Sequence, residues 1–233
     1  MSRDSIFFGA MAVLLAIVVF AGFAPSFYLR APSLELPHLS PLLILHGIVF
    51  SVWMLLYPTQ TLLVTAGATQ WHRRFGFAGA VLAASMVVLA IAAQFAHTRR
   101  VMLDGSYASN AFVEDMGLSL GLLDIVVFTA FVSAAIWLRR RPDEHKRLIL
   151  LATTALIGPA VVLLPGVPSL PAPVVISLPI LPVVPLMIYD LLTRKRLLPV
   201  TIWGAAITVG YHVLAVPLVA AGGARDLARW MAS

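Results

Sequence analysis

The stretch Met116–Leu138, MGLSLGLLDIVVFTAFVSAAIWL, decides the fold, because Asp124 is its only charged residue. A helix of about 20 apolar residues is long enough to cross the hydrocarbon core of a bilayer. The basic triplet Arg139–Arg141 follows directly. A long apolar run that ends at a basic cluster is typical of a membrane-spanning helix, so the stretch predicts one.

The composition of the whole chain follows the same pattern. Of its 233 residues, 61% are hydrophobic and 11% are charged, and the mean hydropathy is +0.96. Soluble domains carry about 25% charged residues, so a disordered protein and an ordinary soluble enzyme are excluded. The basic residues behind the net charge of +6 lie in short clusters between apolar runs. This pattern predicts a membrane topology and no nucleic-acid partner.

Seven segments are apolar and long enough to span a bilayer. They predict an all-α polytopic membrane protein, a seven-transmembrane-helix bundle with a single domain over residues 1–233. The predicted spans are Ile6–Leu29, Pro41–Val64, Phe75–Ala96, Met116–Leu138, Leu148–Leu164, Val174–Leu192 and Leu197–Ala221.

Two helix boundaries can be predicted more closely. The fifth span is short, but Pro142, Asp143 and Glu144 predict an earlier start of its helix, with proline and acids in the first turn. After the last span, apolar and charged residues alternate at helical spacing over Ala224–Met231. They predict a short helix at the membrane interface.

The distribution of Lys and Arg predicts the orientation. Of the 16 basic side chains, 11 fall in loops on one side of the predicted membrane and five on the other. The richer side is cytoplasmic by the positive-inside rule, so the N-terminus is predicted inside and the C-terminus outside. The apolar run from Ile6 to Ala24 exceeds the about 7–15 residues of a signal peptide. The first span is therefore predicted to be retained.

Prolines are concentrated late in the chain. Eight of the 16 lie between Gly158 and Pro185, which predicts kinked or broken helices there. Broken backbone at membrane depth persists only when it is buried in protein or faces water. Two interpretations stay open, a bent hairpin around a loop from Pro165 to Pro173 or the wall of a cavity on the outer side.

A short internal repeat marks two helix starts. His72-Arg73-Arg74-Phe75 opens the third predicted span, and His145-Lys146-Arg147-Leu148 opens the fifth. Each follows an outer-to-inner helix that carries one polar residue in its outer half, either His46 or Asp124. This pattern is typical of two tandem hairpins of common origin.

Three ionisable residues are predicted to lie inside the membrane. A carboxylate such as Asp124 costs about 2.5–3.5 kcal/mol near the bilayer centre, so it usually faces the bundle and has a partner. By rise per residue, His46, Asp124 and His212 fall within a band about 6 Å thick. They are the candidate site, although each alone also fits a packing role.

Four chemistries remain open for these residues. His46 and His212 can serve as axial ligands of one heme b, and Asp124 can accept a hydrogen bond from the other ring N–H of one of them. With Asp124 as a third ligand, they can instead hold a single divalent metal ion, and His97 could be a further ligand. Asp124 can otherwise act catalytically in proton transfer, in a proton-coupled transporter or a membrane enzyme. The fourth is a structural role. The absence of cysteine excludes thiolate ligands.

Basic residues gather on the predicted inner side. A functional interpretation is a mouth that binds an anionic lipid headgroup, a quinone head or a phosphate. The alternative is a topology signal only, with Asp190 and Arg194 paired one helical turn apart. The candidate headgroup or anion-binding residues are His72, Arg73, Arg74, His145, Lys146 and Arg147.

Three motifs carry a resemblance. His46-Gly47, His72-Arg-Arg-Phe-Gly76 and the run from Pro142 to Thr153, PDEHKRLILLAT, resemble uncharacterised multi-pass bacterial inner-membrane proteins across spans two to seven. This resemblance implies a topology and a location in the bacterial inner membrane. The histidine-bearing helix followed by His-Arg-Arg-x-Gly is also loosely similar to heme-binding cytochrome b-type bundles, which implies heme and electron transport. Gln60 departs from that pattern, because it stands where a second histidine would lie.

Overall fold

The computed structural model describes residues 2–30 and 38–233, which are mostly helical. No β-strand occurs in those residues, so the predicted all-α fold is confirmed. The helices are α1 (Arg3–Phe23), which continues into a π-helical turn (Ala24–Tyr28), α2 (Pro41–Thr65), α3 (Thr69–Leu103), α4 (Ser106–Ser109), α5 (Ala111–Trp137), α6 (Pro142–Ala155), α7 (Gly158–Val162), α8 (Ala172–Ser177), α9 (Val183–Arg194), α10 (Pro199–Ala220) and α11 (Gly223–Ala232).

Local sequence sets where the helices begin. Ser40 caps α2, since its hydroxyl accepts a hydrogen bond from the Leu43 amide at 3.3 Å. Proline occupies the first turn of α2, α6 and α10, where its missing amide hydrogen costs no helical bond. The predicted starts at Pro142 and near Ala224 are both confirmed as helix starts.

Five helices are long and apolar enough to cross a membrane: α1 with its π-helical turn, α2, α3, α5 and α10. A sixth results if α8 and α9, which are bent by 42°, together form one span. The predicted span Leu148–Leu164 is not one helix, because α6 ends at Ala155 and α7 is short. Pro159 lacks the amide hydrogen that would bond to the Ala155 carbonyl. The structure supports five or six of the seven predicted spans.

Helix α5 is longer than its apolar stretch. It begins at Ala111 rather than near Met116, because helical hydrogen bonds continue into polar flanking residues. Asp124 is therefore the central residue of α5, about 20 Å from either end at about 1.5 Å per residue. The sequence had placed it closer to the outer end.

The helices pack as two hairpins with further helices around them. The α2–α3 hairpin and the α5–α6 hairpin meet where α3 packs against α5. Helix α1 covers α2 and α7, and α10 packs against α5 and α6. Trp53 of α2 donates a hydrogen bond to Thr153 of α6 at 3.3 Å, which links the two hairpins inside the core.

The outer surface of the bundle is apolar. Phe77, Trp137 and Trp203 are 77%, 84% and 70% exposed, and many aliphatic side chains on the same helices are also exposed. Monomeric soluble proteins rarely expose apolar area on this scale, so the surface is compatible with contact with lipid.

Contacts between charged residues define two ends of the bundle. The first is called the basic end below. Helices α1, α3, α6 and α10 begin there, and helices α2, α5 and α9 terminate there. At this end Lys146 pairs with Asp4 at 2.5 Å. At the opposite end, Arg225 of α11 lies 3.4 Å from Asp115 in the second turn of α5.

Candidate functional site

Asp124 is the centre of the candidate site. Its side chain is buried in the middle of α5, and the residue is 9% exposed. The Tyr211 hydroxyl of α10 donates a hydrogen bond to Asp124 Oδ1 at 2.6 Å. This contact joins the two helices at the depth at which Asp124 would meet the bilayer midplane if α5 spans a membrane.

Two interrupted helices meet at the other carboxylate oxygen. A Cβ atom added to Gly158, the first residue of α7, would lie 3.6 Å from Asp124 Oδ2. The same position lies 3.9 Å from Pro179 Cγ, in the 3₁₀ turn Leu178–Ile180 between α8 and α9. The break between α6 and α7 and the break between α8 and α9 therefore converge beside Asp124.

The partners of Asp124 differ from those of the other buried aspartates. Asp190, which is fully buried, pairs with Arg147 at 2.5 Å and accepts a hydrogen bond from the Thr201 hydroxyl at 2.5 Å. Asp115 is 1% exposed and pairs with Arg225. Within residues 2–30 and 38–233, no Lys, Arg or His nitrogen forms an ion pair with Asp124. Asp124 is thus held by a neutral hydroxyl.

The two predicted histidine ligands have other neighbours. His212 Nδ1 lies 2.9 Å from the Thr208 carbonyl, and its ring centre is 4.2 Å from that of Tyr211. His46 stacks on Phe50 with ring centres 4.1 Å apart, and its buried Nδ1 has no hydrogen-bond partner in the described chain. Helix α2 packs chiefly on α1 and α3, whereas α10 packs chiefly on α5, α6 and α11.

The predicted three-ligand metal site is not assembled. Among the described residues, no three or more His, Cys, Asp or Glu side chains form a group that could hold a metal ion. The structure brings Asp124 to Tyr211, the chain neighbour of His212. It leaves His46 among side chains of its own hairpin.

Sequence reasoning missed three contributors to this site, Tyr211, Gly158 and Pro179. In the sequence, Tyr211 is marked only by its position next to His212. The proline cluster was the available signal for the other two, because it indicated a broken backbone at membrane depth. It carried no information on which side chain would lie beside the break.

The basic end holds a dense ion-pair network. Lys146 lies 2.5 Å from Asp4 and 2.8 Å from Asp143, and Arg194 lies 2.7 Å from Asp143. Tyr189 donates a further hydrogen bond to Asp4. Partial burial opposes ionisation of Asp143, but its hydrogen bond to Lys146 and the nearby cations outweigh this and lower its pKa. The network ties α1, α6 and α9 together.

The predicted Asp190–Arg194 pair is wrong. Asp190 pairs with Arg147 of α6, and Arg194 reaches Asp143 instead. The spacing of four residues was correct for a helical pair, but a guanidinium from another helix already occupies the buried carboxylate. Tertiary packing therefore overrides the local pairing.

The six predicted anion-binding residues fall into three groups. Lys146 and Arg147 are neutralised by carboxylates of the chain itself. Arg73 is exposed, and Arg74 lies over the Trp71 ring at 5.2 Å. His72 and His145 are half-buried and adjacent, with ring centres 6.4 Å apart.

Comparison of the chain with protein-family models, with curated proteins and with solved structures finds no match.

Proposed function

We propose that this chain is an integral protein of the bacterial inner membrane in which Asp124 is the proton-binding group of a proton-coupled transporter. One observation carries the proposal. Asp124 is a buried carboxyl group in the middle of a long apolar helix, it has a hydroxyl rather than a cation as its partner, and two broken helices meet beside it.

The chemistry follows from the cost of burying charge. A carboxylate without a cation beside it is expensive at membrane depth, and a bound proton removes that cost. With Tyr211 donating to Oδ1, the proton would bind at Oδ2, the oxygen that faces Gly158. Transporters commonly place a coupling ion near the midplane, where discontinuous helices surround it. Movement at the two breaks would alternately shield Oδ2 and open it to water.

The membrane location rests on the surface and on the charge distribution. Five long apolar helices present large exposed hydrophobic side chains, which water would not solvate favourably. Most of the Lys and Arg residues collect at the basic end, which would face the cytoplasm by the positive-inside rule. The bilayer is the proposed partner.

Proton binding can be tested without knowing the transported solute. In lipid vesicles, infrared difference spectra between acidic and alkaline pH should contain the carbonyl band of a protonated buried carboxyl group. Asp124→Asn should remove this band, and Tyr211→Phe should shift it to higher frequency because one hydrogen bond to the carboxyl group is lost. Glu114→Gln, on the same helix near its end, serves as the matched control and should leave the band in place.

A flux measurement tests whether Asp124 carries protons across the membrane. Vesicles that contain the protein and a pH-sensitive dye should acidify inside under an imposed membrane potential, and Asp124→Asn should abolish this flux. Equal flux in the wild-type protein and in Asp124→Asn, with no carboxyl band in either, would contradict the proposal and leave a structural role.

The heme and divalent-metal interpretations stay predictions. A bis-imidazole heme needs His46 and His212 on facing helices, and the main packing partners of α2 and α10 differ. An absorbance spectrum of the purified protein, oxidised and then reduced, tests heme, and metal analysis on the same sample tests a bound ion.

A further inference from the structure

A second cluster of polar side chains lies at the basic end, where the proposed transporter does not use it. His72 and His145 are each the fourth residue of their helix, α3 and α6 respectively. Their rings are nearly perpendicular, at 87°, with centres 6.4 Å apart. The internal repeat thus brings its two histidines together across the hairpins.

The contacts of each ring assign its nitrogen atoms. His145 Nδ1 lies 2.8 Å from the Ala135 carbonyl. A carbonyl only accepts hydrogen bonds, so Nδ1 carries the proton and neutral His145 has a free lone pair on Nε2. Metal-bound histidines usually donate their other ring N–H to such an oxygen, which fixes the ring. His145 therefore has the tautomer and the restrained ring that a metal ligand needs.

His72 also has its Nδ1 engaged. With the Gln60 amide oriented to satisfy its neighbours, its nitrogen lies 2.5 Å from His72 Nδ1 and its oxygen lies 2.9 Å from the Gly76 amide. Nε2 is again the remaining nitrogen. Because Nδ1 accepts this hydrogen bond, neutral His72 carries its ring proton on Nε2. An ion at Nε2 would move that proton to Nδ1, and the Gln60 amide would turn its oxygen toward Nδ1 and give up its hydrogen bond from the Gly76 amide.

We propose that His72 and His145 form a binding site for one divalent transition-metal ion, held by the Nε2 atoms of both rings. An imidazole nitrogen lies about 2.0–2.1 Å from a bound zinc ion, so two rings that share an ion have centres about 5–6.5 Å apart. The observed separation falls in this range. Imidazole ligands suit zinc, copper and nickel ions, and water would complete the coordination.

The positive charges near His72 and His145 do not prevent a cation from binding there. Lys146 and Arg147 follow His145 directly, but they point to Asp4 and Asp190 and are neutralised there. Arg73 is the arginine that acts on His72, and its side chain is exposed to solvent. The ligand bonds rather than charge must therefore attract the ion.

Copper(II) is the sharpest probe, because it binds most tightly in the divalent series and reports its ligands by electron paramagnetic resonance. The full-length protein in detergent should bind one ion with hyperfine structure from two imidazole nitrogens. His72→Ala and His145→Ala should each weaken calorimetric binding by at least about tenfold and remove one nitrogen from the spectrum. His145→Asn can still donate to the Ala135 carbonyl, so it should give the same loss in a folded protein.

Two controls locate the ion. His97→Ala, at the far end of α3, and Asp124→Asn should bind copper as the wild-type protein does. Unchanged binding in His72→Ala, or loss of binding in either control, would overturn the proposal and place the ion elsewhere. Asp124→Asn removes the proposed proton-binding group and leaves both proposed copper ligands in place. The transporter proposal and the metal-site proposal can therefore fail independently.

Discussion

Three buried aspartates show how the partner of a carboxyl group decides its role. Asp190 and Asp115 each face an arginine, so their charges are balanced within the fold. Asp124 accepts a hydrogen bond from the Tyr211 hydroxyl and lies beside Gly158, and no cation pairs with it among the described residues. The first two are consequently expected to stabilise the structure, and Asp124 is the one available for proton chemistry.

Replacing Asp190 tests the structural role. Arg147 and Asp190 are both fully buried, and Asp190→Asn would remove the buried counter-charge and leave the guanidinium only its longer contact with Asp143, at 3.4 Å. Breaking a buried ion pair from one side costs about 3–5 kcal/mol, so we expect a large drop in the midpoint of unfolding in detergent. Asp226→Asn is the control, because its pair with Arg229 is exposed and should contribute nothing measurable. Equal midpoints in the two variants would show that the buried pair does not hold the bundle together.

Among the elements, α6 and α7 link the two polar regions. The first turn of α6 takes part in the ion pairs of the basic end, and the break after it lies beside Asp124. Helix α7 is held against α1 at a close backbone approach, since a Cβ atom added to Gly22 would lie 2.1 Å from the Ala160 carbonyl oxygen. Movement of α7 therefore requires this contact to open.

Two glycine substitutions distinguish a tightly packed position from one with room for a methyl group. Gly22→Ala would force α1 away from α7, because the obstructing atom belongs to the backbone, and overpacking of this kind costs about 1–3 kcal/mol. Gly158→Ala would place its new atom at ordinary contact distances and should be tolerated. Thermal unfolding of both variants in detergent checks this. A lower midpoint for Gly158→Ala than for Gly22→Ala would contradict the helix arrangement.

The junction of α1, α6 and α9 should depend on pH. The pKa of Asp143 is held below its ordinary value of 3.8 by Lys146 and the nearby arginines, against the opposing effect of burial. As the pH falls, the unfolded chain takes up this proton before the folded one does. The stabilisation is therefore complete above about pH 4 and is lost below it. Unfolding midpoints between pH 3 and 6 should fall more steeply for the wild type than for Asp143→Asn, and parallel curves would contradict this.

At the scale of the whole molecule, the chain begins and ends at opposite ends of the bundle. Asp4, in the first turn of α1, lies at the basic end with Lys146. Arg225, in α11, lies at the other end with Asp115. The five long helices alone account for this, because an odd number of crossings separates the two ends. The broken segments α6–α7 and α8–α9 also extend toward the second end, where Ile176 of α8 packs against the cluster that contains Met116 and Ala224.

Reporter fusions test this arrangement in cells. An enzyme that folds only outside the cytoplasm should be active when it is fused after Ser233 and inactive when it is inserted at Arg141, in the turn between α5 and α6. The expectation follows from the opposite ends and from the positive-inside rule. Activity at both positions, or at the turn alone, would contradict the proposed orientation.

The sequence by itself determined the helical architecture. Apolar length, proline at helix starts and the proline cluster depend on neighbouring residues, so the positions of α2, α5 and α10 and the breaks near Pro159 and Pro179 could be predicted. Asp124 was identified from its burial cost alone. Boundaries such as the start of α5 were less accurate, because helical hydrogen bonds extend beyond the apolar residues.

Only the tertiary structure decided which side chains meet. Depth along a helix follows from the residue number, but rotation about the helix axis and the choice of neighbouring helix depend on packing against the rest of the chain. For this reason His46, Asp124 and His212 shared a predicted depth and yet did not gather around one point. Asp124 met Tyr211, Asp190 met Arg147, and His72 met His145, each across helices that are distant in sequence.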